Sequence, residues 1–131
     1  MYDAAAPPYS NTLQTIDETR GFWIHCTSPA TLTFGGSEPT TTDIPLFTSG
    51  SGWNLVGYPS SVDRDLPGAI QDNGVGTDFS LVYTKAPDGS WIHFDLTAES
   101  YQNTLTTITP DRGYWIKASA DNTWQVDYQD P

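Results

Sequence analysis

Histidine and cysteine, the side chains that most often carry acid–base and nucleophilic chemistry, are scarce in this sequence: it contains His25, His93 and Cys26. His93 and Asp95 lie two residues apart in a run that predicts a strand, so they share one face and could form a hydrogen bond. A catalytic triad also needs a positioned nucleophile and an oxyanion hole. Because no G-x-S-x-G, H-E-x-x-H or G-x-x-x-x-G-K-[ST] motif is present, we expect that this protein is not an enzyme.

A loop rich in carboxylate and amide oxygens offers a second kind of chemistry. Asp72 and Asn73 precede a glycine, and Asp78 follows a few residues later. Such oxygens are the ligands that Ca²⁺ takes in proteins, although the spacing here is not that of an EF-hand. Two interpretations stand: a solvated polar turn, which we favour, or a Ca²⁺ site formed by Asp72, Asn73 and Asp78. We expect no other cofactor.

Three predicted strands each place a tryptophan on a face that also carries a polar side chain two residues further on. Exposed indoles stack on sugar rings, because sugar C–H groups meet the negative face of the aromatic ring. A structural role is the alternative and the one we favour, since a tryptophan at a strand edge covers the end of a core while its polar neighbour reaches water. The residues of this candidate glycan platform are Trp91, Trp23, Trp115 and His93.

Length and charge bound the remaining classes of function. The 131 residues fit one domain, which can bury a core without a metal or disulfide. Sixteen acidic and five basic residues give a net charge of −11, which excludes nucleic acid and disfavours anionic membranes as partners. Glycans and neighbouring modules of the same protein remain compatible partners. Cys26 lies in an apolar run, so we expect it to be a buried small hydrophobe.

The composition is typical of an extracellular protein, being rich in Thr, Ser, Gly, Asn, Trp and Tyr and poor in Lys. No run approaches the roughly 18 apolar residues of a membrane-spanning helix, so we predict no membrane insertion. The N-terminus has neither the basic segment nor the apolar core of a signal peptide. We therefore expect a piece excised from a longer secreted or cell-surface chain, with Met1 added for expression.

Short runs of β-branched and aromatic residues, separated by turn residues, predict an all-β chain. Ala86–Ser90 (A-P-D-G-S) is a strong hairpin signal, and Asp63–Ile70 could make a short helical turn that Pro67 interrupts. The spacing favours an antiparallel sandwich or a distorted barrel. The predicted strands are Leu13–Ile16, Gly21–Cys26, Thr31–Phe34, Trp53–Tyr58, Phe79–Thr84, Trp91–Asp95, Leu105–Ile108, Gly113–Ala118 and Thr123–Tyr128.

The sequence contains an internal repeat. Asn11–Ile24 aligns without a gap with Asn103–Ile116, at a constant offset of 92 residues. The second copy follows material that the first copy lacks. We therefore divide the single β domain 1–131 into an incomplete repeat that is only a first tail (residues 1–36), a linker rich in Gly, Ser, Thr and Pro (residues 37–50), and a complete repeat (residues 51–131). The complete repeat comprises a head, with Gly52–Ser60, Leu81–Tyr83 and Trp91–Asp95, followed by a second tail, with Tyr101–Leu105 and Gly113–Ile116. The prediction is a sandwich in which the two tails are related by a pseudo-two-fold axis.

The motifs of the head and tails form a specific combination. The head has G-W-N-L-V-G-Y-P-S, L-V-Y and W-x-x-[YF]-D, and the tails have P-P-Y-x-N-x-L followed by G-[FY]-W-I, with Pro-Pro missing before Tyr101. This combination resembles a module that recurs in large secreted and surface proteins of bacteria, and it covers nearly the whole chain. The resemblance implies an accessory or structural unit of a multidomain protein. The matching residues are Gly52–Ser60, Leu81–Tyr83, Trp91–Asp95, Pro7–Leu13, Gly21–Ile24, Tyr101–Leu105 and Gly113–Ile116.

These observations predict a non-catalytic structural or adhesive module, with a carbohydrate-binding module as the alternative. The first tail lacks its own head, so it must pack on the complete repeat or leave an apolar face exposed. We favour packing within one globule, as a monomer. The variant is pairing between chains, as a swapped dimer or a head-to-tail assembly.

Overall fold

The computed structural model describes residues 1–33, 35–37, 39–110 and 112–128 and shows a mostly β chain. Its helical segments are single turns of three to five residues, at Pro8–Ser10, Ser49–Ser51, Gly68–Ile70 (α1), Gln71–Val75 and Ser100–Gln102. None of these described turns is long or apolar enough to cross a membrane. The strands are β1 (Thr41–Leu46), β2 (Trp53–Gly57), β3 (Arg64–Asp65), β4 (Phe79–Lys85), β5 (Trp91–Asp95), β6 (Thr107–Ile108), β7 (Gly113–Ala118) and β8 (Asn122–Asp127).

Four strands form the main sheet, which is antiparallel and has the order β2-β7-β4-β5. Strand β7, from the second tail, therefore lies between two strands of the head. It pairs Tyr114 with Val56 on one side and Ile116 with Val82 on the other. Strands β1 and β8 form an antiparallel ribbon, and β3 and β6 form a second, shorter one.

The inner face of the main sheet and the inner face of the β1–β8 ribbon contribute to one core. Along β1 and β8 buried and exposed residues alternate, as the two-residue period of a strand requires. The largest fully buried side chain is Trp124, which stacks on Tyr58 with the ring centroids 5.9 Å apart. Its Nε1–H donates to the carbonyl of Ala69 at 2.8 Å, so the one polar atom of the indole is satisfied. The predicted all-β antiparallel sandwich is confirmed.

Several predicted elements of the head and second tail agree with the structure. Trp91–Asp95 and Gly113–Ala118 match β5 and β7 at both ends. The predicted hairpin joins β4 to β5, with the Ala86 N–H donating to the carbonyl of Ser90 at 2.9 Å. Instead of interrupting a helical turn, Pro67 stands immediately before α1, where its fixed φ and missing N–H are tolerated.

The linker predicted over residues 37–50 is wrong at its centre, because β1 occupies Thr41–Leu46. Thr42, Ile44 and Leu46 point into the core, and the alternation of these residues with polar ones is a strand pattern. Flanking Gly and Ser residues, together with Pro45, mask this pattern in the sequence. Pro45 is tolerated because β1 is an edge strand whose partner is β8.

The described residues of the first tail form none of its three predicted strands. Leu13–Ile16 and Gly21–Cys26 are irregular, and so is the described part of Thr31–Phe34, of which Phe34 lies outside the described residues. Because Gly21–Cys26 is not inside a sheet, Cys26 is exposed and the prediction that it is buried was wrong. The pseudo-two-fold relation between the tails is not observed, since only the second tail occupies a place between head strands.

Candidate functional site

The outer face of the main sheet, opposite the core, carries most of the candidate binding residues. Strand alternation directs Trp115, Tyr83 and His93 outward, and the register places them in one row across three neighbouring strands. Trp53 and Trp91 lie on the same face near its corners. We call these five residues the aromatic face.

The rings of the aromatic face meet mostly edge to face. Trp53 and Tyr83 lie 5.8 Å apart at 66°, and Tyr83 and Trp91 lie 6.5 Å apart at 79°. Trp23 of the first tail joins the cluster, 5.9 Å from Trp91 at 74°. Only His93 stacks on its neighbour, 5.4 Å from Tyr83 at 24°. Because successive rings are close to perpendicular, the cluster is a compact aromatic patch rather than a flat platform.

Two lysines cover Trp91 and Trp53. Lys85 Nζ lies 4.2 Å from the ring centroid of Trp91, and Lys117 Nζ lies 5.6 Å from that of Trp53. Each ammonium is also held by a backbone carbonyl, that of Gly89 for Lys85 and that of Ser51 for Lys117. These cation–π contacts occupy one side of each indole and fix its orientation.

The structure brings together some of the predicted platform residues and separates others. Trp91 and Trp23 are in contact and both are exposed, at 50% and 63%. Trp115 is half-buried at the centre of the face, between Leu55 and Tyr83 in the register. Trp53 and Tyr83 also belong to the patch, although they were not among the predicted platform residues. Alternation within β2 and β4 places both on the outer face, but only the strand order makes them neighbours.

The first tail reaches the main sheet at the outer edge of β2. The Gly21 N–H donates to the carbonyl of Leu55, and the Gly57 N–H donates to the carbonyl of Thr19, both at 3.3 Å. These two hydrogen bonds flank a single β-bridge between Arg20 and Val56. The first tail therefore packs on the complete repeat through this short crossing and through the contact of Trp23 with Trp91.

Two glycines at the crossing allow this close approach. A Cβ on Gly57 of β2 would lie 2.5 Å from the carbonyl oxygen of Glu18, and a Cβ on Gly21 of the first tail would lie 2.8 Å from the carbonyl oxygen of Val56. The missing side chain of Gly57 leaves a shallow notch on the sheet, and the backbone of the first tail fills it.

The two tails share a local hydrogen-bonded loop. Asn103 Oδ1 accepts from the Asp95 N–H at 2.7 Å, and its Nδ2 donates to the Asp95 carbonyl at 3.3 Å. At the equivalent positions Asn11 bonds the backbone of Asp3 at 2.8 and 3.2 Å. Each asparagine also follows a single 3₁₀ turn. Both asparagines thus close a turn through side-chain hydrogen bonds to the backbone.

The Asp95 carboxylate accepts its hydrogen bonds from Thr97 and not from His93. Its Oδ1 accepts from the N–H and the hydroxyl of Thr97, both at 2.8 Å, and these hydrogen bonds lower the pKa of Asp95 below its usual range. The His93 ring instead faces the Thr104 hydroxyl at 3.4 Å. The pair is thus arranged as part of a turn and not as a general base with its orienting carboxylate.

The residues of the predicted Ca²⁺ site lie in and after the turn at Gln71–Val75. Asn73 Nδ2 donates to the carbonyl of Ala69 at 3.1 Å, and Asp78 Oδ2 accepts from Asn122 Nδ2 at 3.1 Å. Asp72 is exposed. In the described part of the chain, no three or more His, Cys, Asp or Glu side chains are grouped as metal ligands. The Ca²⁺ site therefore stays a prediction.

Comparison with known proteins gives no match of any kind: no family model, no curated protein and no solved structure matches the chain.

Proposed function

We propose that this chain is a non-catalytic structural or adhesive module of a secreted or cell-surface multidomain protein, and that it contacts neighbouring polypeptide through its aromatic face. One observation carries the proposal: a polypeptide segment already lies on that side of the sheet. The first tail crosses the glycine notch and sets Trp23 against Trp91.

The chemistry of the face suits a protein partner. Tyrosine and tryptophan are enriched at protein interfaces, where they bury a large area at little cost in side-chain entropy. Here Trp53 and Trp91 are exposed and are held in place by lysine contacts. Rigid, exposed aromatic side chains on a sheet supply contact area without a loop that must be ordered on binding.

The extracellular setting rests on the composition and on the resemblance to modules of bacterial surface proteins. A net charge of −11 supports solubility and argues against nucleic-acid and anionic-membrane partners. The acidic composition and the resemblance are both expected of a module within a multidomain extracellular protein.

Carbohydrate binding is the second candidate, and the exposure of Trp91 beside the polar ring of His93 favours it. A sugar would stack on the indole face that Lys85 leaves open and would bond a polar neighbour. The perpendicular arrangement of Trp91, Tyr83 and Trp23 weighs against a long polysaccharide, because successive sugar rings need successive coplanar faces.

Tryptophan fluorescence of the full chain, titrated with soluble polysaccharides with and without Ca²⁺, separates the two functions. We expect no saturable change with any glycan. In parallel, Trp91→Ala should loosen the polypeptide that already lies against the aromatic face, so that limited proteolysis within residues 14–33 becomes faster. A saturable glycan response that Trp91→Ala abolishes would establish the carbohydrate-binding alternative. Unchanged proteolysis of Trp91→Ala would contradict polypeptide contact through the aromatic face.

A further inference from the structure

The two tails carry apolar residues at matching positions, offset by 92, yet only those of the second tail are fully buried. Tyr114 and Ile116 of the second tail correspond to Phe22 and Ile24 of the first. Ile116 is 0% exposed in the core, whereas Ile24 is 68% exposed. An apolar strand pattern left in water is a surface that lacks its partner.

The second tail shows what that partner is. Its strand β7 is hydrogen-bonded on one side to β2 and on the other to β4, both from the head. Its strand β8 is paired along its whole length with β1. The surface that buries a tail is therefore made of β1, β2 and β4, with β3 pairing the short strand β6, and the first tail has apolar residues at the matching positions.

Chain connectivity allows the first tail to occupy the same position. In the structure Thr41 pairs with Asp127, and Leu46 pairs with Asn122. The positions that correspond to Asp127 and Asn122 in the first tail are Gly35 and Ala30. Residues 36–40 alone would then connect the two strands, and a five-residue loop is a common length for an antiparallel hairpin.

We propose that the first tail is a binding segment for a head of this same type whose own tail is missing or displaced. It would enter as β7 and β8 do, by strand addition between β2 and β4 and alongside β1. The partner is thus recognised by an open position between two head strands and by the apolar surface beneath it. This inference goes beyond the proposed function and does not depend on what the aromatic face binds.

The second tail holds the position in this chain for an identifiable reason. Trp124 fills the core, stacks on Tyr58 and bonds the carbonyl of Ala69. The first tail has Leu32 at the corresponding position, which has a smaller side chain and no donor. The first tail is therefore the weaker of two competitors and stays outside while the second tail is intact.

The reactivity of Cys26, the single cysteine of the chain, distinguishes whether the first or the second tail occupies the sheet. Cys26 corresponds to Ala118, which is buried, pairs with Phe79 and donates its N–H to the carbonyl of Gly52. Cys26 itself is exposed in the structure. If the first tail takes the place of β7, the thiol moves from water into the core and its reaction with a soluble disulfide reagent slows.

The test uses the full chain carrying Ile116→Asp, which places a charge in the core and expels the second tail. We expect the variant to keep β-sheet circular dichroism and cooperative unfolding, with Cys26 reacting at least about tenfold more slowly than in the parent chain. Size-exclusion chromatography then tells whether the first tail has entered its own head, as a monomer, or the head of a second copy, as a dimer or longer assembly.

Ile24→Asp supplies the matched control. Alone it should leave folding and Cys26 reactivity unchanged, because Ile24 is in water. Combined with Ile116→Asp it should unfold the chain, since neither tail can then complete the head. The proposal is overturned if Ile116→Asp by itself unfolds the protein, or if it leaves Cys26 as reactive as in the parent chain.

Discussion

The first and second tails are one sequence pattern in two environments. The second tail contributes β6, β7 and β8 and buries Tyr114, Ile116 and Trp124 completely. The first tail has apolar residues at the same positions and forms one β-bridge. Alternating apolar residues thus permit a strand, but a strand forms only where backbone groups and apolar side chains find a partner, because an isolated strand leaves both in water.

The loop that the two tails share has the same structure in both environments. The loop closed by Asn11 in the first tail has the same hydrogen bonds as the loop closed by Asn103 in the second. These bonds join residues only eight positions apart, so they need no distant partner. Local structure is therefore the same in both copies, while sheet structure is not.

The largest expected effect tests the difference in burial directly. Ile116→Ala removes a fully buried side chain and should lower the free energy of unfolding by about 2–5 kcal/mol. Ile24→Ala, at the matching exposed position, should change it by less than about 0.5 kcal/mol. Urea denaturation followed by circular dichroism measures both. Equal losses would mean that the first tail is packed as the second one is.

The shared loops provide a second contrast. Asn103→Ala removes two hydrogen bonds to the backbone of Asp95, at the end of β5, and should cost about 1–3 kcal/mol of global stability. Asn11→Ala breaks the same bonds in a segment outside the core, so global stability should stay within about 0.5 kcal/mol. Hydrogen exchange of residues 1–13 should nonetheless accelerate. A global loss from Asn11→Ala would show that the first loop unfolds together with the core.

The crossing of the first tail gives a third, smaller effect. Gly57→Ala would place a methyl 2.5 Å from the Glu18 carbonyl oxygen, so the first tail should lift away from the sheet. We expect faster proteolysis within residues 14–33 and a change in global stability of no more than about 1 kcal/mol. Gly36→Ala, whose Cβ would meet no atom within 4 Å, is the control. Unchanged proteolysis would mean that the notch does not hold the tail.

The smallest expected effect is a pH dependence in the second tail. Asp121 accepts hydrogen bonds from the N–H and hydroxyl of Thr48, at 2.7 and 2.6 Å, and these lower its pKa below the ordinary 3.8. Because the pKa is lower in the folded state, the stabilisation is complete above the ordinary value and is lost as the pH falls through the folded-state pKa. The urea concentration at the unfolding midpoint should therefore decrease as the pH is lowered below about 4. Asp121→Asn should flatten that fall, and an unaltered pH profile would exclude this contribution.

Much of the fold was predictable because it depends on short-range pattern. Two strands, β5 and β7, agree with the alternation of apolar residues at both ends, and the hairpin before β5 follows from its Pro-Asp-Gly turn. Strand β1 was not predicted, since Pro45 and the surrounding Gly, Ser and Thr residues resemble a linker. Its partner β8 lies about 80 residues away along the chain, and the residues near β1 carry no pattern that predicts such a long-range pairing.

The sequence by itself determined the periodicity of β5 and β7, the hairpin turn between β4 and β5, and the side of β5 and β7 on which Trp91 and Trp115 lie, because these follow from neighbours within a few residues. Only the tertiary structure decided which tail enters the sheet, that Cys26 is exposed, and that Trp53, Tyr83 and Trp91 meet on one face. Those outcomes depend on the strand order β2-β7-β4-β5. In the second tail Trp124 stacks on Tyr58 and donates to the carbonyl of Ala69, and Leu32 at the matching position of the first tail has neither a ring nor a donor for these contacts.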